Sequence, residues 1–386
     1  MIKYKLAILG VNQFSDLYPN VKYKILILKK IEKIFTKCFF YNLGDVTFYG
    51  TMKKKSFFKK LSMSLKIFYG TLRVIGCFIF NKEKNVYIVY PAFFIVLFFS
   101  LMPKSRRPVI FIDAFISLYD TIVNDRALIK TDTWKARLLF VLEKKVFLTA
   151  DHILVDTSDN AAFYGRIFQI PFDKFHVVPL AIPELIMPDV GLNQEDGRKS
   201  NKFICLFVGS LVPLHGIEEI LNAVKNLSHI PDIEFVIVGD GQQSALIEEF
   251  ISEDKPVNLI WHKGVFPTDF IVNEIKRASL CLGVFGLGNK AARVVPYKLY
   301  YYAALGKAFV TQDNPCLREV MAEFGDIFFC DRYNNPLEKK IYELFKNPQA
   351  LARCDAASAR LHELKLSSHI AHQKLEKLLI KYAVDG

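Results

Sequence analysis

Several features common in other protein classes are missing from this chain of 386 residues. Its seven cysteines, Cys38, Cys77, Cys205, Cys281, Cys316, Cys330 and Cys354, form no CxxC pair and are odd in number. That spacing argues against a disulfide framework and against a thiolate zinc site, and points to a reducing cytosol. The opening MIKYKLAILG reads directly as a strand without a small-residue cleavage site, so no secretory signal is expected. The uncharged stretch from Val86 to Met102 falls short of the ~20 residues of a membrane span. Pro91 divides it into a VYIVY strand and an AFFIVLFFSLM helix, both read as buried core.

Acidic residues are scarce in one half only. Residues 1–150 hold 26 Lys and Arg against 9 Asp and Glu, whereas residues 151–386 hold 25 against 30. The net charge of +12 is therefore carried by the first half. Nucleic acid and an anionic membrane are the two partner classes such a charge fits. The basic run Lys53, Lys54, Lys55, Lys59 and Lys60 is interleaved with Phe57 and Phe58, a pattern in which aromatics enter an interface while lysines meet headgroups. It favours a membrane surface over nucleic acid. A solvated helix face over a core remains the other reading.

Hydrophobic residues make up 52% of the chain and charged residues 23%, which suits large buried sheets in a folded protein. The length points to two domains. Strands and helices of about ten residues alternate through both halves, the pattern of doubly wound parallel sheets. We place an N-terminal domain at 1–185, a Pro-, Gly- and Asn-rich linker at 186–200 and a second domain at 201–365. A final helix at 366–386 carries Ile370, Leu375, Leu378, Leu379 and Tyr382 on one stripe and is expected to pack back across the domain interface. Ligands of such sheets gather beyond the carboxyl ends of the strands. Gly10, expected to end the first strand, and Asp113, ending VIFID, are thus candidates to line a cleft. Asp113 has two readings: it orients an acceptor hydroxyl or takes its proton, or it caps the following helix.

The stretch from Cys281 to Asp313, CLGVFGLGNKAARVVPYKLYYYAALGKAFVTQD, organises the second half. A strand ending at Val284 leads into a loop with Gly286, Gly288, Lys290 and Arg293, then into a helix expected to start at Pro296 and stop at Gly306. Free backbone N–H groups, a helix N-terminus and two cations form an anion site, with phosphate as the natural occupant.

This stretch, together with FVGSLVPLHGIEEILNAVKNL and IEFVIVGDGQ, resembles the C-terminal domain of the retaining group 1 (family four) glycosyltransferases. The resemblance spans about residues 202–360; the first half agrees in organisation only. It implies the GT-B fold, two Rossmann-like domains facing a cleft. The implied activity is transfer of a sugar from a nucleotide-diphosphate sugar, with retention, to a membrane-anchored glycan or lipid-linked acceptor. No cofactor and no metal are implied, and no DxD-type pair stands out. Candidate donor residues are Gly10, Gly209, Ser210, His215, Phe266, Lys290, Arg293, Lys298 and Tyr301, of which Ser210, His215, Phe266, Arg293 and Tyr301 lie at positions the resemblance marks, with Asp113 and Arg293 in catalytic roles. Four of these depart from the family pattern. Ser210 and His215 stand where relatives carry Arg and Lys, and Arg293 and Tyr301 stand where they carry glutamates. Lys290, Arg293 and Lys298 are expected to supply the missing cations, with the Gly209 and Ser210 amides completing the cradle. A GT-B nucleotide-sugar epimerase and a non-catalytic partner subunit are the alternatives. A transferase for bacterial surface polysaccharide (O-antigen, capsule or lipooligosaccharide), cytoplasmic and peripheral to the inner face of the membrane, is the reading preferred.

Overall fold

The computed structural model describes residues 4–12, 19–43, 57–81, 83–182 and 202–384; the side chains of 57–61 and 81 are not described. The 186–200 linker and Lys53, Lys54 and Lys55 lie outside the described residues. Two compact units result: Met1–Ala181 with Ser368–Gly386, and Ile182–Ser367.

The first unit is built on β1 (Tyr4–Asn12), β2 (Ile34–Asn42), β3 (Asn85–Ile88), β4 (Val109–Asp113), β5 (His152–Val155) and β6 (Phe175–Val177). They form one sheet in the order β2-β1-β3-β4-β5-β6, every pairing parallel. Helices α1 (Pro19–Lys29), α2 (Phe57–Asn81), α3 (Phe93–Phe99), α4 (Trp134–Thr149) and α5 (Ser158–Phe168) connect them. The period-two alternation of β1 assigns its faces. Ala7, Leu9 and Val11 pack with Val74, Ile75 and Phe78 of α2, Phe93 and Phe99 of α3, Val146 and Phe147 of α4, and Tyr164 and Phe168 of α5. Leu6 and Ile8 pack on the other face with α1.

The VYIVY–AFFIVLFFSLM run is, as read, a strand and a core helix. Phe93, Ile95, Val96 and Phe99 are buried, each such side chain contributing roughly 1.5–3 kcal/mol of transfer free energy. The apolar stretch from Val21 to Phe35, which reads from sequence as one helix, is only partly helical. The helix ends at Lys29, and Ile34 and Phe35 belong to β2, because pairing with β1 over its whole length outcompetes another helical turn. Length and apolar composition sufficient to cross a membrane are found in Ser62–Phe80 of α2, a candidate the sequence reading passed over.

The second unit repeats the plan with β7 (Phe203–Val208), β8 (Ile233–Val238), β9 (Leu259–His262), β10 (Leu280–Leu282), β11 (Phe309–Gln312) and β12 (Phe329–Cys330). The order is β12-β11-β10-β7-β8-β9, again parallel. Its helices are α6 (Ile217–Asn226), α7 (Ser244–Asp254), α8 (Thr268–Arg277), α9 (Tyr297–Ala304), α10 (Pro315–Val320), α11 (Leu337–Lys346) and α12 (Pro348–Leu361). Ladder pairing in β10 stops at Leu282, two residues early, although the Gly283 amide still reaches Val310 O at 2.8 Å.

The last helix, α13 (Ser368–Tyr382), belongs to the first unit. Ala371, Leu375, Leu378 and Leu379 pack with Val21, Ile25 and Leu28 of α1, with Ala371 buried in place of the expected Ile370. Asn85 fastens the end of the chain. Its amide nitrogen donates to Val384 O at 2.8 Å and to Lys5 O at 3.0 Å, and its carbonyl accepts from the Val384 amide at 2.9 Å.

Tyr382 stacks beside His152, ring centroids 4.2 Å apart, and His152 Nδ1 lies 3.0 Å from His176 Nε2. Burial lowers both imidazole pKa values, that of His176 to about 4, with His152 and Lys381 adding repulsion and Asp173 opposing it. Asp151 opposes the shift at His152 and Lys174 adds to it. An unfolded histidine titrates near ~6.5. The unfolded chain therefore binds protons between that pH and about 4 that the native pair refuses. The contribution is present above the unfolded pKa and is lost as pH falls through the folded one. Denaturant melts of the protein should show a midpoint that drops as pH is lowered from 7 toward 5, and His176→Gln should flatten that slope.

Candidate functional site

Three glycine loops meet at the carboxyl ends of β7, β8 and β10 in the second unit. Gly209 follows β7 at φ +148°, Gly239 follows β8 at φ +147°, and Gly216 closes the turn Pro213–His215 at φ +62°. Side chains rarely adopt these dihedrals, and space forbids them as well. A Cβ on Gly239 would overlap Gly209 O, one on Gly216 would overlap the Phe285–Gly286 backbone, and one on Gly286 would strike Leu214 O and Pro213 O. The Phe285 amide donates to His215 O at 3.1 Å. The loops after β7 and β10 are thereby locked backbone to backbone.

Lys298, in the first turn of α9, reaches under the β7 loop. Its Nζ lies 3.5 Å above the Phe207 ring centroid and donates to Gly283 O at 3.3 Å. A Cβ on Gly209 would stand 3.2 Å from this Nζ and 3.3 Å from His215 Cε1. His215 Nδ1 is bonded to Ser210 O, so the proton sits on Nδ1 and Nε2 keeps a lone pair until the ring is charged. Burial holds the Lys298 ammonium well below the usual lysine pKa. An anion bound beside a desolvated ammonium would raise that pKa again.

The other predicted donor residues sit differently. Arg293 is buried at the end of the short turn Ala291–Arg293, and its Nε donates to Asn289 O at 2.9 Å. Lys290 begins that turn, one residue before it. Tyr301 is 7% exposed and packs edge-on against Tyr297, centroids 5.3 Å apart. Phe266 stacks on Phe270 at 4.6 Å and 22°, with His262 beside it. Pro296 precedes the first helical residue of α9, where it was expected to be that residue. Among the described residues no group of three His, Cys, Asp or Glu side chains could hold a metal ion.

Residues 192–360 match the family Glycosyl transferases group 1. This stretch is similar to the group 1 glycosyltransferases. No curated protein matches the chain. Among solved structures, HepE (Alr3699) of Anabaena in complex with UDP-glucose superposes with a TM-score of 0.67 at 12% identity, covering 98% of this chain and 100% of that one. Sucrose-phosphate synthase from Thermosynechococcus elongatus gives 0.69 at 11%, covering 98% and 99%. WaaG, a glycosyltransferase involved in lipopolysaccharide biosynthesis, gives 0.63 at 13%, covering 97% and 99%. At these identities the likeness concerns fold: the chain has the GT-B architecture of two Rossmann-like domains.

Within the second unit, Lys298, His215, Gly209 and Ser210 converge, while Arg293 is tied to Asn289 and Tyr301 to Tyr297. One part of the expected cradle is absent. The Gly209 amide is already bonded to Val238 O at 3.0 Å, because Gly209 extends the β7–β8 ladder by one step. Two positions escaped the sequence reading. Phe207 is the ring under Lys298, and the Trp261 indole N–H donates to Gly239 O at 3.0 Å, pinning the end of β9 to the second glycine loop. The signal for the second was a strand ending in an aromatic donor beside a glycine turn.

Gly10 and Asp113 belong to the first unit. Gly10 lies inside β1, which continues to Asn12 because β2 pairs with it to the end. Asp113 is 2% exposed and pairs through Oδ1 with Lys24 Nζ at 2.8 Å; the lysine is 1% exposed. No described bond makes Asp113 a helix cap, and its Oδ1 is committed to the lysine. Burial, then the Asp113 charge, push the neighbouring Tyr87 phenol well above its ordinary pKa. Removing one partner of a buried pair strands the other. Asp113→Ala should lose about 3–5 kcal/mol of unfolding free energy, whereas Asp113→Leu with Lys24→Met should recover most of it, both read by denaturant titration.

Proposed function

We propose that this protein transfers a sugar from a nucleotide-diphosphate sugar to a membrane-anchored glycan or lipid-linked acceptor with retention of configuration. The observation that carries the reading is Lys298, held half-buried and desolvated beside the Gly209 loop with His215 opposite. As the anomeric carbon–phosphate oxygen bond breaks, negative charge builds on the leaving diphosphate, and a preorganised cation in a low-dielectric site stabilises that charge. The acceptor oxygen bonds the anomeric carbon on the same face, and its proton passes to the departing phosphate oxygen. No protein base is needed at the acceptor, which agrees with Asp113 being buried in an ion pair. No cofactor or metal enters this scheme.

The acceptor side is read from charge. With its excess of Lys and Arg, the first half suits an anionic membrane rather than nucleic acid. HepE and WaaG, the latter involved in lipopolysaccharide biosynthesis, share the fold. Bacterial surface polysaccharide assembly at the inner face of the cytoplasmic membrane is the setting we infer.

Incubation with UDP-, GDP- and dTDP-sugars plus membrane lipid extract should give a glycosylated lipid whose anomeric configuration, read by proton NMR, matches the donor's. If no donor is transferred or hydrolysed and none raises the melting temperature, the transferase reading fails. Donor binding should also take up a proton. Burial lowers the Lys298 pKa in the free protein, and an adjacent diphosphate raises it again. The heat of nucleoside diphosphate binding should therefore vary with buffer ionisation enthalpy, and affinity should fall as pH rises. Lys298→Met should weaken binding roughly 10- to 100-fold, the range of one charged hydrogen bond. Equal affinity would remove Lys298 from the site.

A further inference from the structure

The helices α2, α3 and α4 cover the same face of the first sheet, α3 touching both neighbours, and their inner side chains fill one core. Their outer sides are apolar as well. Leu65, Phe68, Leu72 and Phe80 of α2 are 59, 63, 51 and 89% exposed. On α4, Trp134, Leu138, Val141 and Leu148 are 69, 49, 59 and 48% exposed and fall on one stripe, opposite the buried Val146 and Phe147. Phe94 of α3 and Leu101 just beyond it fill the space between in sequence, at 52 and 76%.

The charge on these elements has one sign. None of the three helices has an exposed carboxylate: α2 and α3 contain no Asp or Glu, and the one acid of α4, Glu143, is buried. Glu143 accepts hydrogen bonds from the Ser117 hydroxyl and the Leu118 and Tyr119 amides. Lys66, Arg73, Lys135, Arg137 and Lys145 are exposed among the apolar residues, and Lys104 and Arg106 follow α3. Soluble surfaces interleave both signs and break up apolar patches.

We propose that the outer face of α2, α3 and α4 is a docking surface for an anionic lipid bilayer, in which all three helices lie flat in the headgroup region. This deepens the membrane part of the proposed function and is independent of the donor chemistry. Charge complementarity selects the occupant. A second copy of the chain would bring like charges together, whereas anionic headgroups meet the lysines and arginines while the rings and leucines enter the acyl boundary. A transmembrane α2 is disfavoured because Val74, Ile75 and Phe78 are part of the first unit's core, and crossing would strip them from it. The proposed contact surface thus includes α3 and α4 as well as α2.

The test uses the full chain with Trp261→Phe, leaving Trp134 as the reporter, since the sequence has 2 tryptophans. Vesicles of phosphatidylglycerol with phosphatidylcholine should sediment with the protein, shift Trp134 emission to the blue and release the protein in high salt. Vesicles of phosphatidylcholine alone should bind at least about tenfold less, because the electrostatic part is missing. Leu138→Glu with Val141→Glu, at exposed sites that leave the core intact, should lower partitioning by a similar factor while the melting temperature holds. Absence of vesicle binding, or binding unchanged in that variant, overturns the proposal, as would a dimer that the same substitutions dissociate. Donor binding, measured on chains that keep Trp261 with and without Leu138→Glu and Val141→Glu, stays intact in every one of these outcomes, so loss of the transferase reading is seen separately.

Discussion

Backbone packed on backbone is the constraint from which the second domain's chemistry follows. Gly239 sits against the Gly209 carbonyl, and Gly216 sits against Phe285 and Gly286, at distances that exclude even a methyl group. Because these loops cannot part, Lys298 at the start of α9 is delivered beneath Gly209 and over the Phe207 ring. A lysine so placed loses hydration without gaining a carboxylate, which lowers its pKa, and an anion bound beside it would raise that pKa again.

The first domain is arranged around a different requirement. Its sheet is covered on one face by α1 and α13 and on the other by α2 to α5. The buried Lys24–Asp113 pair joins the first of these layers to the sheet, and the Asn85 bonds to Val384 hold the returning end of the chain. Buried ion pairs add little net stability but penalise any arrangement that separates them. Apolar residues left over after both faces are filled are gathered on the outside of α2, α3 and α4 with cations only, which links the domain's charge excess to a surface rather than to the protein at large.

Much of this was legible in the sequence. The β/α alternation, the division of the 86–102 run at Pro91, and the family resemblance carried by Cys281 to Asp313 all rest on local patterns, and the structure and the family match agree with them. What local pattern does not encode is partnership at long range. Lys24 lies 89 positions from Asp113, so a carboxylate at a strand end looked like an active-site group. The Gly209 amide looked available because nothing in its neighbourhood names Val238 as its acceptor. In α4, Trp134, Leu138, Val141 and Leu148 form a second apolar stripe opposite the buried one, and periodicity alone does not tell which stripe meets the core. Boundaries slid by one to six residues where the choice between helix and strand was made by pairing with β1.

The central claim is that the diphosphate is held by Lys298 and His215 at the Gly209 loop. A crystal structure of the protein with whichever nucleoside diphosphate most raises its melting temperature addresses it directly. The account predicts a phosphate oxygen about 2.7–2.9 Å from Lys298 Nζ, with the ammonium drawn off the Phe207 ring and His215 facing the same group. A diphosphate bound at Arg293 and Lys290, with Lys298 still seated over Phe207, would contradict it.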